Sequence, residues 1–548
     1  MTRKMKQAGW LMTAFAVMFM ANAGAWGPRA KQTIAAMALQ VIKDEYPNVF
    51  RPGGVTGVNY EKDVLNGAAE GYAVLGPEIP LGNDKQTVQA IGEQIQLLRD
   101  VRRYGPTSYF AFRMGVLASL VSDVMLPFGF AWSPADEQIQ QQLRKDVDAN
   151  LEGYAFQPAR RKRYYIRDVN EYFRANRAFY PGDKRIVAED YLRGAGYDGF
   201  LRRGGPAYFE GAVNAVADVW HTVLRLEGDP VHPPASPRSV TWYFVNEIAY
   251  LLNVKRNLAQ ADRVYENFEK VNPGIAAAYE RIGDLYYAFN TPEAKLRGVR
   301  EWRIAYDMPG AERMAIARKL STHFLSEGKA FLERAERPGA EDTDLPNALN
   351  AFQQALEFER TNEETANLIH RTHVAINERN QRFQTTINII ASAEKVQAEA
   401  EKARLAGDFG NAIATYRQAI TLYQAVSDEF KEQERVAKEG ISRLRKSITD
   451  VINEVLDRAS DAIDEGERAR DNHDYEVAIA AYAKVPSVVA VIPDDENPSL
   501  TADKQQMIDL ANRKIEETKV AKVRYEEARR EQEQAAQQRP GGAPRPGQ

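Results

Sequence analysis

Hydrophobic residues recur at helical spacing along most of this chain. Clear examples are residues 31–46, 87–103, 111–127 and 207–226, where apolar side chains return every three or four positions. The stretches between them are rich in Gly and Pro, without the alternation of apolar and polar residues that predicts a strand. The pattern therefore predicts an all-α protein.

A proline-rich segment divides the chain into two regions that differ in their pattern of helices and loops. Pro233, Pro234 and Pro237 lie close together, which is typical of a linker. We predict a first helical domain at 26–232 and a second domain of helical repeats at 239–530. The Gln-, Pro- and Gly-rich residues 531–548 are expected to form a disordered tail.

One eight-residue block occurs three times in the second domain. The copies are residues 348–355, 412–419 and 478–485, with Phe352, Tyr416 and Tyr482 at the fifth position. They begin 64 and 66 residues apart. Small residues at the ends of the block allow two helices to approach closely, and the aromatic residue fills the groove between them.

The block resembles the tetratricopeptide repeat, a helix-turn-helix unit with a small residue and an aromatic residue at these places. Residues 257–268 and 277–306, the second with Tyr286 and Trp302, look like further units. Tandem units of that family repeat every roughly 34 residues, so the wider spacing predicts either long intervening helices or a second, degenerate unit.

The resemblance implies an irregular solenoid of helix hairpins that docks a protein or peptide partner. A non-repetitive bundle that reuses Ala and Tyr is the alternative. The aromatic residues assigned to the partner-binding repeats are Tyr286, Trp302, Phe352, Tyr416 and Tyr482.

The N-terminus has the charge order of a secretory signal. Residues 1–7 carry three positive charges, residues 8–20 are largely apolar, and Ala23 and Ala25 supply the small residues that a signal peptidase needs. We predict cleavage between Ala25 and Trp26, removal of the signal peptide 1–25, and export to the periplasm or the medium. The apolar run is shorter than the about 20 residues of a membrane span; a retained anchor is the alternative. No later segment approaches such a span.

Composition excludes several classes of function. The chain has no cysteine, which excludes disulfides, thiolate nucleophiles and a lipoprotein anchor. Its formal net charge is -4, and we predict no nucleic-acid partner because that affinity comes from clustered positive charge. One basic run, 160–163, precedes Tyr164 and Tyr165, and basic residues beside aromatic ones can bind phosphates and stacked bases. A solvated helix end is the favoured interpretation of this run.

Cleavage after Ala25 would leave Trp26 as the new N-terminus, which is an unusual residue at that place. Three stretches of the first domain, one of which begins at Trp26, resemble the same protein family. Residues 26–35, 119–129 and 215–221 resemble the opening, central and last ligand helices of the zinc-dependent phospholipase C and single-strand nuclease family. The resemblance implies an all-helical domain in which the Trp26 amine and carbonyl join histidines and carboxylates on a zinc cluster.

Four positions depart from the ligand pattern of that family. The substituted positions are Lys31, Ser119, Gly129 and Ala217. What remains is Trp26, Asp123, His221 and Glu70, which would hold one zinc ion at most. Lys31 would place a positive charge where the family has a cation.

Two hypotheses follow for the function. The first is an exported non-catalytic scaffold, a pseudoenzyme without a cofactor, which predicts an ion pair between Lys31 and Asp123. The alternative is a metal-dependent phosphoric ester hydrolase with a reduced zinc site, in which zinc activates a bound water and Lys31 points to solvent. His370 and His373 share a helix face and could ligate a metal, although a solvated face is the favoured interpretation.

Overall fold

The computed structural model describes residues 24, 26–52, 57–72, 74–75, 84–130, 133–154, 162–225, 232–337, 341–494 and 497–537. These residues form nineteen α-helices and no strand, so the all-α prediction is confirmed. The chain has two compact units, unit 1 at Met1–Leu320 and unit 2 at Ser321–Gln548. Among the described residues, no helix combines the length and the hydropathy required to cross a membrane.

Twelve of these helices lie in unit 1. They are α1 (Pro28–Ile42), α2 (Glu61–Glu70), α3 (Asp84–Val101), α4 (Ser108–Val124), α5 (Pro134–Asn150), α6 (Val169–Asn176), α7 (Tyr180–Leu192), α8 (Phe200–Leu224), α9 (Pro237–Asn253), α10 (Leu258–Val271), α11 (Ala276–Phe289) and α12 (Pro292–Asp307). The division between the units falls within α13 (Arg313–Ala335). Unit 2 continues with α14 (Asp344–Phe358), α15 (Glu363–Leu405), α16 (Phe409–Gln424), α17 (Lys431–Asp471), α18 (Tyr475–Val489) and α19 (Pro498–Gln537).

Helix α4 is the centre of unit 1. All 17 of its residues are buried, because most of them are apolar and the helix is packed by α1, α2, α3 and α8. Gly115 on α4 brings α2 very close: a Cβ atom there would lie 1.9 Å from the Val64 carbonyl oxygen. This packing places the C-terminal end of α4 beside the start of α1.

Unit 1 continues past the proline-rich segment predicted as a linker. Pro237 opens α9 and Ser236 caps it, and α9 packs on α3 and α4. The Tyr250 hydroxyl of α9 donates to the buried Asp63 carboxylate of α2 at 2.9 Å. The helices on both sides of the proline-rich segment therefore belong to one compact unit.

Unit 2 alternates short and long helices. The short helices α14, α16 and α18 have 15, 16 and 15 residues, and the long helices α15, α17 and α19 have 43, 41 and 40. Each short helix carries one copy of the repeated block. The spacing of the copies follows directly, because one short helix, one long helix and their turns make up each period.

The long helices α15 and α17 each pack against two short helices. The first half of α15, at Leu368 and Ile376, packs in a cluster with Phe352 of α14. The second half of α15, at Ile390 and Ala400, belongs to a different cluster with α16 and α17. The α17 helix divides its contacts in the same way, since Gly440 faces α16 and Gly466 faces α18.

The turns that end α15 and α17 are built alike. Gly407 and His473 both have positive φ, 78° and 63°. The amides that follow them, of Asp408 and Asp474, donate back to the carbonyls of Ala403 and Ala469, which is the bonding of a Schellman motif. Helix α19 runs to Gln537, so residues 531–537 of the predicted disordered tail are helical.

Candidate functional site

The Asp123 carboxylate lies in a buried polar cluster at the end of α4. Its side chain is 0% exposed and that of Lys31 is 10% exposed. Lys31 Nζ donates to one carboxylate oxygen at 2.6 Å, and the Trp26 amide donates to the other at 3.2 Å. The Tyr72 hydroxyl is a third partner. The ion pair that distinguishes the two hypotheses is therefore present.

Local structure at the start of α1 fixes this geometry. The Asp148 carboxylate of α5 accepts a hydrogen bond from the Ala30 amide in the first turn, at 3.0 Å, where a negative charge is favourable. Gly27 allows that approach, since a Cβ atom there would lie 1.9 Å from Asp148 Oδ2. The Trp26 indole donates to the Ser122 carbonyl at 2.8 Å, which holds residue 26 against α4.

The electrostatics of the cluster follow from burial. Burial raises the pKa of the Asp123 carboxyl, while Lys31, the Trp26 amide and the Tyr72 hydroxyl act in the opposite direction. Burial and the nearby Asp123 raise the pKa of the Tyr72 hydroxyl well above its usual value. The Tyr72 hydroxyl therefore stays protonated and donates a hydrogen bond to the carboxylate.

The other two residues of the predicted metal site are His221 and Glu70, and His221 has its partners outside the Asp123 cluster. His221 Nδ1 is 2.8 Å from the Glu45 carboxylate and 3.1 Å from the Tyr46 hydroxyl, and burial lowers its pKa. Glu70 ends α2 and has its pKa raised by burial. Within the described ranges, no three His, Asp or Glu side chains are close enough together to hold a metal ion. The donor set does not fit a zinc cluster.

The backbone at Gly129, one of the four positions predicted to be substituted, requires a glycine. The chain turns sharply after α4, with Phe128 at a φ of 61°. A Cβ atom on Gly129 would lie 1.6 Å from the Asp123 carbonyl oxygen, so a histidine would require a different turn. Ser119 and Ala217 are both fully buried, and the Ser119 hydroxyl makes no hydrogen bond within the described part of the chain.

The basic run before Tyr164 and Tyr165 is described only at Lys162 and Arg163, which are not helical. Residues 155–161 lie outside the described residues, and 162–166 are non-helical. Arg163 is buried 3.7 Å from Asp218, whose carboxylate also accepts from the Tyr164 amide. The ring of Tyr165 has the guanidinium groups of Arg99 and Arg225 each 5.3 Å from its centre. The described part of the run therefore anchors its own segment.

The aromatic residues assigned to partner binding are interior residues. None is more than 4% exposed; they are Tyr286, Trp302, Phe352, Tyr416 and Tyr482. Several pack on glycines: a Cβ atom would lie 2.5 Å from Phe352 if added to Gly328, and 2.5 Å from Tyr482 if added to Gly466. These side chains hold the hairpins together, and Tyr416 also lines a cavity between α15, α16 and α17. His370 and His373 are exposed on α15.

A cavity of about 480 Å³ opens between α15, α16 and α17. Charged residues of both signs line it, including Glu394, Lys402 and Arg443. Leu405 adds an apolar side chain that is 78% exposed. Of the residues that line it, the sequence singled out Tyr416. The others lie on separate helices and form no motif, and Tyr72 and Asp148 were missed for the same reason.

Comparisons with protein-family models, with curated proteins and with solved structures found no match for this chain. The predicted signal peptide, apart from Gly24, and residues 538–548 lie outside the described residues.

Proposed function

We propose that this protein is an exported non-catalytic binding scaffold. In this proposal unit 1 is a degenerate relative of zinc-dependent phospholipase C, and unit 2 docks a protein or peptide partner through tetratricopeptide-like hairpins. The observation that carries the proposal is the buried ion pair between Lys31 and Asp123.

The ion pair opposes a metal ion at the same carboxylate. Two unit charges 4 Å apart interact by about 4 kcal/mol at an effective dielectric constant of about 20, and a divalent ion doubles this to about 8 kcal/mol. A zinc ion on Asp123 would meet that repulsion from the Lys31 ammonium, 2.6 Å from the carboxylate oxygen. Both carboxylate oxygens already accept hydrogen bonds, from Lys31 and from Trp26.

The helix lengths of unit 2 support docking. At 1.5 Å per residue, α15 is about 64 Å long and α16 about 24 Å, because they have 43 and 16 residues. The short helices therefore cover only part of the long ones. The cavity between α15, α16 and α17 lies on this uneven surface, and its mixed charges suit a peptide with polar and charged side chains.

Metal content tests the first half of the proposal. The full chain would be purified after natural export, its N-terminus sequenced, and its metals measured by mass spectrometry. We expect a start at Trp26 and zinc well below one ion per chain. Stoichiometric zinc, with metal-dependent hydrolysis of a phosphodiester or phospholipid, would instead support the hydrolase hypothesis.

Site-specific photo-crosslinking tests the second half. A photoreactive residue at Leu405, on the rim of the cavity, should give a discrete crosslinked product in the native compartment. Val520 on α19, which is 50% exposed, is the matched control and should give none. Products of equal yield at both positions, or at neither, would argue against docking at this cavity.

A further inference from the structure

A second cavity, of about 390 Å³, lies in unit 1 among the first turn of α3, helix α6 and the start of α7. Its size falls in the range of about 300–1,000 Å³ typical of small-molecule pockets. It has no residue in common with the Asp123 cluster or with the basic run at 160–163.

The charge of this cavity is one-sided. Lys85 of α3, Arg174 of α6 and Arg177 of the α6–α7 connection line it, and none of its described lining residues is acidic. Lys and Arg side chains keep their charge throughout the physiological pH range. The cavity is therefore a concentrated positive site in a chain whose net charge is -4.

Aromatic residues complete the lining. Phe173 is 1% exposed and forms an apolar wall. The Arg177 guanidinium lies 4.5 Å from the centre of the Tyr180 ring, a cation–π contact that restricts its plane. Planar, oriented guanidinium groups bind phosphate and carboxylate oxygens in pairs.

We propose that this cavity binds a phosphate-bearing ligand. Lys85, Arg174 and Arg177 hold the phosphate oxygens, and the organic part of the ligand packs on Phe173 and Tyr180. The inference does not depend on the proposed scaffold function, because it concerns another surface of unit 1.

Phe179 bears on the source of the phosphate. It lies between two lining residues, Ala178 and Tyr180, and is 83% exposed. An exposed aromatic side chain beside a cationic site suits insertion into a lipid surface. A lipid headgroup and a soluble phosphate ester would both be bound through their phosphate oxygens. Only a lipid surface would also contact Phe179, so a substitution of Phe179 distinguishes the two sources.

The test measures binding of the full chain at about 0.15 M salt, where exposed charges are screened over about 8 Å. Inorganic phosphate and glycerol 3-phosphate are titrated by calorimetry. Flotation with vesicles of phosphatidylglycerol, and of phosphatidylcholine for comparison, forms the lipid arm.

The diagnostic variant is K85A/R174A, because both side chains are exposed and their removal leaves the fold intact. Charge-assisted hydrogen bonds of this kind predict roughly ten- to a hundredfold weaker binding. The control R202A/R203A removes the same charge from exposed positions on α8 and should bind like the wild type. Phe179→Ser should weaken vesicle binding alone if the source is lipid, and neither arm if it is a soluble ester.

Two results would overturn the proposal. One is no binding of any probe by the wild-type chain. The other is equal weakening in K85A/R174A and in the control, which would show that net charge, and not the cavity, binds the anion.

Discussion

Charged side chains have different surroundings in the two units. In unit 1, the ion-paired Asp123 and Asp218 are 0% and 1% exposed. Along α17 of unit 2 the ion pairs lie at the surface: the side chain of Arg435, which pairs with Glu432 and Glu439, is 59% exposed. A buried charge depends on its partner, because removing one leaves the other desolvated. Exposed charges are stabilised by water in either case.

The two units also differ in how their helices pack. Unit 2 repeats one contact, an aromatic ring against a small residue on a long helix, whereas unit 1 encloses a single helix on all sides. The five tryptophans that follow the predicted signal peptide all precede Leu320, the end of unit 1, so tryptophan fluorescence of the exported chain follows the unfolding of that unit alone. This makes the comparison between the units measurable in the intact chain.

The largest effect should come from Lys31→Met. In the chain that retains Ala25, where the Trp26 N–H is a neutral amide, it replaces the cationic partner of the buried Asp123 carboxylate by an apolar side chain, and we expect the free energy of unfolding of unit 1 to fall by about 3–5 kcal/mol. Urea unfolding followed by tryptophan fluorescence measures this. The double variant K31M/D123N removes the buried charge but keeps an acceptor for Trp26 and Tyr72, so it should recover most of the loss. A double variant no more stable than K31M would contradict this account.

Glu247 predicts a pH dependence of unit 1. Burial raises the pKa of its carboxyl to about 7 from the model-compound value of 4.5. Between pH 4.5 and pH 7 the Glu247 carboxyl is therefore protonated in the folded unit and ionised in the unfolded chain. The free energy of unfolding of unit 1 falls as pH rises through this range and is constant above it. The contribution is about 3 kcal/mol.

Glu247→Gln should remove this dependence and be more stable than the wild type at pH 8. Unfolding followed by tryptophan fluorescence at pH 4.5 and pH 8 gives the free energy of unfolding of both proteins. The contributions of the other titrating groups cancel when the two proteins are compared at the same pH. Identical pH profiles for the two proteins would rule the assignment out.

A smaller effect should separate two equivalent repeat positions. The Tyr416 hydroxyl donates to Glu401, whereas the buried Tyr482 hydroxyl has no hydrogen-bond partner among the described residues. Tyr416→Phe should destabilise unit 2 by about 1 kcal/mol, and Tyr482→Phe should be neutral or stabilising. Hydrogen exchange of the amides of α16 and α18 measures both, and the same sign at both positions would contradict the comparison.

The smallest effect is expected at the surface of α17. Arg435→Ala breaks two ion pairs, yet the unfolding midpoint of unit 2, followed by circular dichroism, should not change measurably. A clearly lower midpoint would mean that these exposed ion pairs stabilise the fold as the buried ion pair of unit 1 does.

Several of these features could be predicted from the sequence because they are local. Helical periodicity and the repeated block depend on residues close in the chain. The pairing of Lys31 with Asp123 came from a resemblance, since they are 92 positions apart. Tyr72 and Asp148 had no such signal. Nor could the sequence show that α15 is one continuous helix, because its two hydrophobic stripes face different partners.

The shared long helices also restrict how this chain can tolerate insertions. An α-helix turns about 100° per residue, so one extra residue in the middle of α15 would rotate its second half by that angle relative to its first. The contacts with Phe352 at one end and with Tyr416 at the other would then fall out of phase. Length variation is therefore confined to the turns, and new repeats can be added only as whole pairs of one short and one long helix.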